Sequence, residues 1–235
     1  MRWLARDRAP SLAVLNDWAR ESGLPQRFVL ATEALAALDY ERRIASHREI
    51  ATRDGVPHDL FNALSWLAFP RTKAALNAVH VREGASATGN ARNRRRDAAT
   101  LLDESGLIVA CTDASLIDGW RRRAWRETFW TRRSDVERAL AAHALGHGLL
   151  EKLANPYGAI TAHAMVLPLP SSTPQADLDA AAAVRIAAGL EPGALLPLPV
   201  AALPGWDSES LGPALFDDVA VFRAPRAAQV QGAHE

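Results

Sequence analysis

The chain has 235 residues, 49% of them hydrophobic, with 27 basic and 27 acidic side chains and a single cysteine. That length and apolar content suit one sizeable core, and the balanced charge gives no reason to expect a polyanion partner for the molecule as a whole. One cysteine excludes an internal disulfide framework, and no stretch approaches the roughly 18–20 consecutive apolar residues of a membrane span.

The N-terminal residues MRWLARDRAPSLAVLNDWARESG carry arginines throughout, so no secretory signal is read there and a cytoplasmic protein is expected. Pro10-Ser11 predicts a helix start and Gly23-Leu24-Pro25 a stop, giving a helix over 10–21. A second helix is expected over about 31–50, with Leu35, Leu38 and Ile44 on one side. TRDGVP (52–57) reads as a turn. Two helices then follow, 58–68 and 70–80, separated because Pro70 cannot occupy a helix interior.

Residues 84–96, GASATGNARNRRR, read as a loop. After it, two apolar runs flank Asp103-Glu104-Ser105-Gly106, which predicts an antiparallel hairpin over 98–111 with its turn at DESG. Helices are expected over 114–130 and 134–153, a strand over 159–168 and an Ala-rich helix over 174–189. The remainder is punctuated by proline, and 227–235 reads as a disordered tail. The order of elements predicts an α+β fold: a mainly helical single domain over 1–226 with a small antiparallel sheet.

Four groups of residues carry chemistry. His58, Asn62, Trp66, Phe69, Lys73, Asn77 and His80 recur at steps of three and four, which places them on one helical face with polar ends and an aromatic middle. Such a stripe suits a cleft wall, although caps and local hydrogen bonds account for similar residues in many helices. Within AHALGHGLLEKL, His143, His147 and Glu151 recur at i, i+4 and i+8, the spacing of two imidazoles and a carboxylate converging on one ion. No Glu lies between the two histidines, so a zinc protease of the HExxH kind is not expected. Gly146 and Gly148 flank His147, which points to close approach by another backbone or a ligand. Arg96 and Asp97 precede the expected hairpin, and Asp97 is the better site candidate there, since Asp103 and Glu104 are common turn residues. Finally, GWRRRAWRETFWTRR interleaves arginine with aromatic rings, the ingredients of a nucleic-acid surface or, more simply, of an amphipathic helix that seats its rings in the core. Nucleotide glycine motifs and a GxSxG elbow are absent.

The blocks YERRIA (40–45), TR (52–53), HDLFNALSWLAFPRTKAALNAVH (58–80), RDAATLLDESG (96–106), GHGLLEKLANPY (146–157), LPLPVAALPGW (196–206) and FDDVAVFR (216–223) together resemble a bacterial domain-of-unknown-function family, DUF3025. The resemblance implies that His58, Asp59, Asn62, Lys73, Asn77, His80, Arg96, Asp97, Asp103, Glu104, His147 and Glu151 belong to its motif blocks. His143 matches no block position, and Phe216 stands where the family pattern has Tyr.

These observations lead to one expectation and one rival. The expectation is a hydrolase of phosphoesters or carboxyl derivatives that uses a divalent ion, zinc, manganese or iron. His58, His80, Asp97 and His147 would be its ligands, and the ion would lower the pKa of a bound water. Asp59 or Glu151 would take a proton, Lys73 and Arg96 would hold a small anionic substrate, and Asn62, Asn77 and Trp66 would line its site. The rival is a nucleic-acid-binding or protein-interaction module that uses the Arg/Trp-rich region 84–133 and holds no ion.

Overall fold

The computed structural model describes residues 10–32, 40–84, 90–205 and 212–224. Helix α1 (Leu12–Glu21) is followed by strand β1 (Arg27–Leu30), helix α2 (Tyr40–His47) and strand β2 (Glu49–Thr52). Helices α3 (Pro57–Ala68), α4 (Pro70–Gly84) and α5 (Asn90–Ser105) lead directly into strand β3 (Gly106–Cys111). Helix α6 (Ala114–Arg121), a π-helical turn over Arg126–Thr131 and helix α7 (Arg133–Ala139) precede strand β4 (Leu140–Ala144). Helix α8 (His147–Ala154), strand β5 (Thr161–Leu167), helix α9 (Gln175–Ala187) and strand β6 (Leu195–Pro199) complete an α+β fold.

Strand β3, GLIVAC, is buried at every position, as a strand covered on both faces must be. It pairs antiparallel with β4 and parallel with β5, and β5 pairs antiparallel with β6, giving the order β4-β3-β5-β6. Alternation along β3 sends Leu107, Val109 and Cys111 to one face, where they meet Leu116, Trp120, Phe129 and Leu149. Ile108 and Ala110 point to the other and pack with Leu76 of α4, Leu102 of α5 and Leu178 of α9. A third cluster lies beside this sandwich: Leu15, Phe28, Ile44 and Ile50 close on Trp66 of α3.

Five expectations need correction, the first being the helix over 114–130, which ends at Arg121 and gives way to a π-helical turn over Arg126–Thr131. The hairpin over 98–111 does not form, because α5 runs unbroken to Ser105 and the chain enters β3 at once. DESG is therefore the last turn of a helix. A Cβ at Gly106 would lie 2.1 Å from the Leu102 carbonyl oxygen, so a helix-to-strand joint this tight admits only glycine. The helix expected over 134–153 is broken by β4, since LAAHA completes the edge of the sheet and tertiary pairing outweighs the helix propensity of alanine. The helix expected over 31–50 is confined to α2 and followed by β2, which pairs in parallel with β1; residues 33–39 lie outside the described set. The segment read as a loop over 84–96 is helical from Asn90, and 85–89 are not described. The tail expected over 227–235 also falls outside the described residues.

Candidate metal centre

The break at Pro70 decides which members of the polar stripe meet. Pro57 occupies the first turn of α3, and Phe69 (φ −134°, ψ 59°) ends the helix and turns the chain into α4. Asp179 of α9 then accepts from the Arg71 and Thr72 amides at 3.0 and 2.8 Å, satisfying the free N–H groups at the start of α4. Across this bend Lys73 folds back and donates to Asn62 Oδ1 at 2.9 Å.

A cleft of about 470 Å3 opens beside these residues, lined by Tyr40, Glu41, Arg53, His58, Asp59, Asn62, Asp103, Glu104 and His147, with Ala31 and Ala51. His58 and His147 lie edge to face in its wall, ring centroids 4.4 Å apart. His58 Nδ1 is 3.0 Å from Glu151 Oε2, one helical turn beyond His147 on α8. A ring that donates from Nδ1 to a carboxylate presents its Nε2 lone pair, the arrangement that supports metal-binding histidines. His147 is 6% exposed, with Nε2 3.4 Å from Glu104 Oε1 and Nδ1 3.9 Å from Asp103 Oδ2. Both separations exceed hydrogen-bond length, and Nδ1 has no partner among the described residues.

His147 reaches Glu104 because two glycines let their elements touch. A Cβ at Gly146 would stand 2.4 Å from the Gly106 nitrogen, and one at Gly148 would stand 2.8 Å from Glu104 Oε2. The Gly106 carbonyl accepts from both Leu145 and Gly146 at 3.0 Å, which clamps the start of α8 onto the end of α5. One ligand atom each from His58, Glu104 and His147 thereby lies within 4.8 Å of the others. Donors about 2.1 Å from a shared tetrahedral ion are about 3.4 Å apart, so the His147–Glu104 separation already fits and the remainder needs only small side-chain rotations. The donor set suits a divalent ion.

Behind this group runs a buried polar chain. Lys73 pairs with Asp103 and stands 5.6 Å from the centroid of the Trp66 ring. Burial by itself raises the Asp103 pKa, but the surrounding groups, led by the charge of Lys73, outweigh it and hold the carboxyl below its ordinary value. Burial pushes the His147 pKa down, against the pull of Asp103, so the ring favours the neutral form a metal requires. Asn62 Nδ2 donates to the Tyr40 hydroxyl at 2.8 Å, and burial raises the Tyr40 pKa. Burial likewise raises the Glu41 pKa, partly offset by a 2.6 Å hydrogen bond from Asn77. Asp59 is held ionised: burial acts upward, and two side-chain bonds and one backbone bond from Arg53 outweigh it.

Several sequence candidates stand elsewhere. Trp66 is core, buried against Ile50 and Ala63. Asn77 is buried and committed to Glu41, while His80, half-buried one turn later, is not among the residues that line the cleft. Arg96 and Asp97 are exposed on α5; Asp97 shares a face with Glu104 but lies about 10 Å earlier along the axis. Lys73 is buried within its ion pair with Asp103 and is not among the residues that line the cleft. His143 belongs to β4 and packs on Phe69, ring centroids 6.5 Å apart. Phe216 is buried against Phe222. Conversely, Tyr40, Glu41 and Arg53 line the cleft without having been singled out, and Asp103 and Glu104, set below Asp97 in the sequence reading, line it as well. Asp103 and Glu104 were hidden by the turn-like DESG, and the only signal for the others lay in the YERRIA and TR blocks.

In the Arg/Trp-rich region, Trp120, Trp125 and Phe129 are buried. Arg122, Arg126, Arg132 and Arg133 are paired with Asp118, Asp217, Asp113 and Glu137. These rings are therefore not offered to bases, and the charge beside them is largely matched.

A family model described as "Protein of unknown function (DUF3025)" matches residues 26–226. The chain belongs to this family. No curated protein and no solved structure matches it.

Proposed function

We propose that this member of the DUF3025 family is a metal-dependent hydrolase whose ion is held by His58, Glu104 and His147. The observation that carries the proposal is the buried His147 standing with His58 and Glu104 in a group whose ligand atoms lie within 4.8 Å, its Nε2 3.4 Å from Glu104 Oε1. With Nε2 toward the ion, the buried Nδ1 faces Asp103 Oδ2 at 3.9 Å, the carboxylate that would orient the ring. Zinc, manganese and iron all accept two imidazoles and a carboxylate. Such an ion supplies a water of lowered pKa.

The chain's own groups divide the remaining work. Glu151 orients His58, and the Asp103–Lys73 pair backs His147. Glu41, whose pKa burial raises, lines the same cleft and is the candidate to accept a proton. Asp59, the candidate base from sequence, is engaged by Arg53 on both oxygens and holds the cleft wall instead. A free buried cysteine suits a reducing cytoplasm, and no helix among the described residues is long and apolar enough to cross a membrane.

Calorimetric titration of the chelator-treated full chain with Zn2+ and Mn2+, checked by elemental analysis, tests this. One ion per chain is expected, lost in His147→Ala and in Glu104→Ala and retained in Asp97→Ala. Equal binding by all four proteins would overturn the assignment.

A further inference from the structure

The cleft's hydrogen bonds have a direction, and it ends on a tyrosine. Lysine has only donors, so the Asn62 atom facing Lys73 at 2.9 Å must be its carbonyl oxygen. The Asn62 amide nitrogen therefore faces Tyr40 and donates to the phenol oxygen at 2.8 Å. That oxygen is an acceptor, so its own hydrogen is not spent on Asn62. Among the described residues no acceptor takes it, and Tyr40 lines the cleft together with His58, Glu104 and His147. The chain Asp103–Lys73–Asn62–Tyr40 thus leaves a neutral O–H donor on a residue of the cleft that the candidate ligands also line.

The charges of the same cleft bear on what the donor meets. Its lining holds four carboxylic side chains, Glu41, Asp59, Asp103 and Glu104, against one guanidinium, Arg53. Arg53 already spends Nε and Nη2 on Asp59, and Lys73 is buried in its pair with Asp103. A phosphoester carries its own negative charge into such a site, where, among the described residues, Arg53 and Lys73 are already committed to Asp59 and Asp103 and the carboxyl groups of Glu41 and Glu104 remain. An uncharged carbonyl compound does not meet that repulsion.

We infer that the substrate is a neutral carboxyl derivative, an ester or amide, whose carbonyl oxygen is bound by the Tyr40 hydroxyl; this rests on the proposed metal-dependent hydrolase. The step consumes one water. Its oxygen bonds to the carbonyl carbon, and the C=O electron pair moves onto the oxygen that accepts from Tyr40. When the carbonyl re-forms, the C–O or C–N bond breaks and the leaving group departs with a proton, giving a carboxylic acid and an alcohol or amine. Burial keeps the phenol protonated at neutral pH, so it remains a donor throughout. Preorganised donors of this kind account for about a hundredfold in rate.

The metal-loaded full chain and its Tyr40→Phe and His147→Ala variants are assayed on p-nitrophenyl acetate, an acetylated amino-acid anilide and bis(p-nitrophenyl) phosphate, with metal content and melting temperature measured on each. The expected result is turnover of the ester or anilide in preference to the phosphate. It should vanish in His147→Ala and fall at least tenfold in kcat in Tyr40→Phe at unchanged metal content and melting temperature. Preferred turnover of the phosphate, full activity in Tyr40→Phe, or an ion-loaded wild type that cleaves neither ester nor anilide would overturn this inference and leave the metal centre standing. A wild type that takes up no ion would remove both.

Discussion

His147 stands 3.4 Å from Glu104 across the joint where the start of α8 meets the end of α5, and Gly148 beside it leaves no room for a Cβ. The candidate site depends on how closely these two helix ends pack.

Gly148→Ala tests that dependence. Its methyl would stand 2.8 Å from Glu104 Oε2 and 3.0 Å from the Glu104 carbonyl oxygen, so the carboxylate must move. The expected outcome is a loss of about 1–3 kcal/mol in denaturant unfolding, together with at least tenfold weaker binding of Zn2+. Gly158→Ala, with nothing within 4 Å, is the control and should leave metal binding unchanged.

Lys73→Met keeps the length of the side chain and removes the charge that faces Asp103. Asp103 is then left without a cation in a largely buried position, and breaking such a pair costs about 3–5 kcal/mol. Adding Asp103→Leu should recover most of that loss. A single variant that unfolds at the wild-type midpoint would show that the pair contributes little.

Asp179→Ala removes the acceptor for two N–H groups at the start of α4. A destabilisation of about 1–2 kcal/mol is expected. Amide exchange should quicken at Arg71 and Thr72 before it does in β3. Uniform quickening throughout the chain would contradict a local capping role.

Glu49 makes a pH prediction. Its hydrogen bond from Arg27 and its pairing with Arg43 hold its carboxyl below the ordinary 4.5. A folded-state pKa below the unfolded one means that the unfolded chain binds the proton more readily, so stability falls with falling pH. The contribution is therefore complete above about pH 5 and lost as pH drops through the depressed value. Glu49→Gln should lower stability at pH 7 and narrow its difference from wild type below pH 4, read from urea midpoints across that range.

Much of this was written locally in the chain. Pro57 and Pro70 bound α3 and begin α4, and the four-residue spacing that groups His58 and Asn62 is a property of helical geometry alone. Gly146 and Gly148 announced a close approach, because glycine inside a helix is costly unless something occupies the space. The DUF3025 blocks run through nearly every residue of the cleft.

What local pattern could not supply was the partner in each contact. DESG has the composition of a turn and LAAHA that of a helix; which state each takes depends on β3, whose two neighbours come from segments far along the chain. Once α5 continues to Ser105, Glu104 is carried to His147 and Asp97 is left about 10 Å behind, a consequence of the 1.5 Å rise per residue. His143 and His147 look alike at four-residue spacing, yet one belongs to an edge strand and the other begins a helix. Tyr40 carries no sequence signal of its own. It becomes a candidate only because Lys73, lacking any acceptor, turns Asn62 so that the phenol hydrogen is left for the cleft. Periodicity encodes which face a residue takes, whereas long-range packing encodes what that face meets.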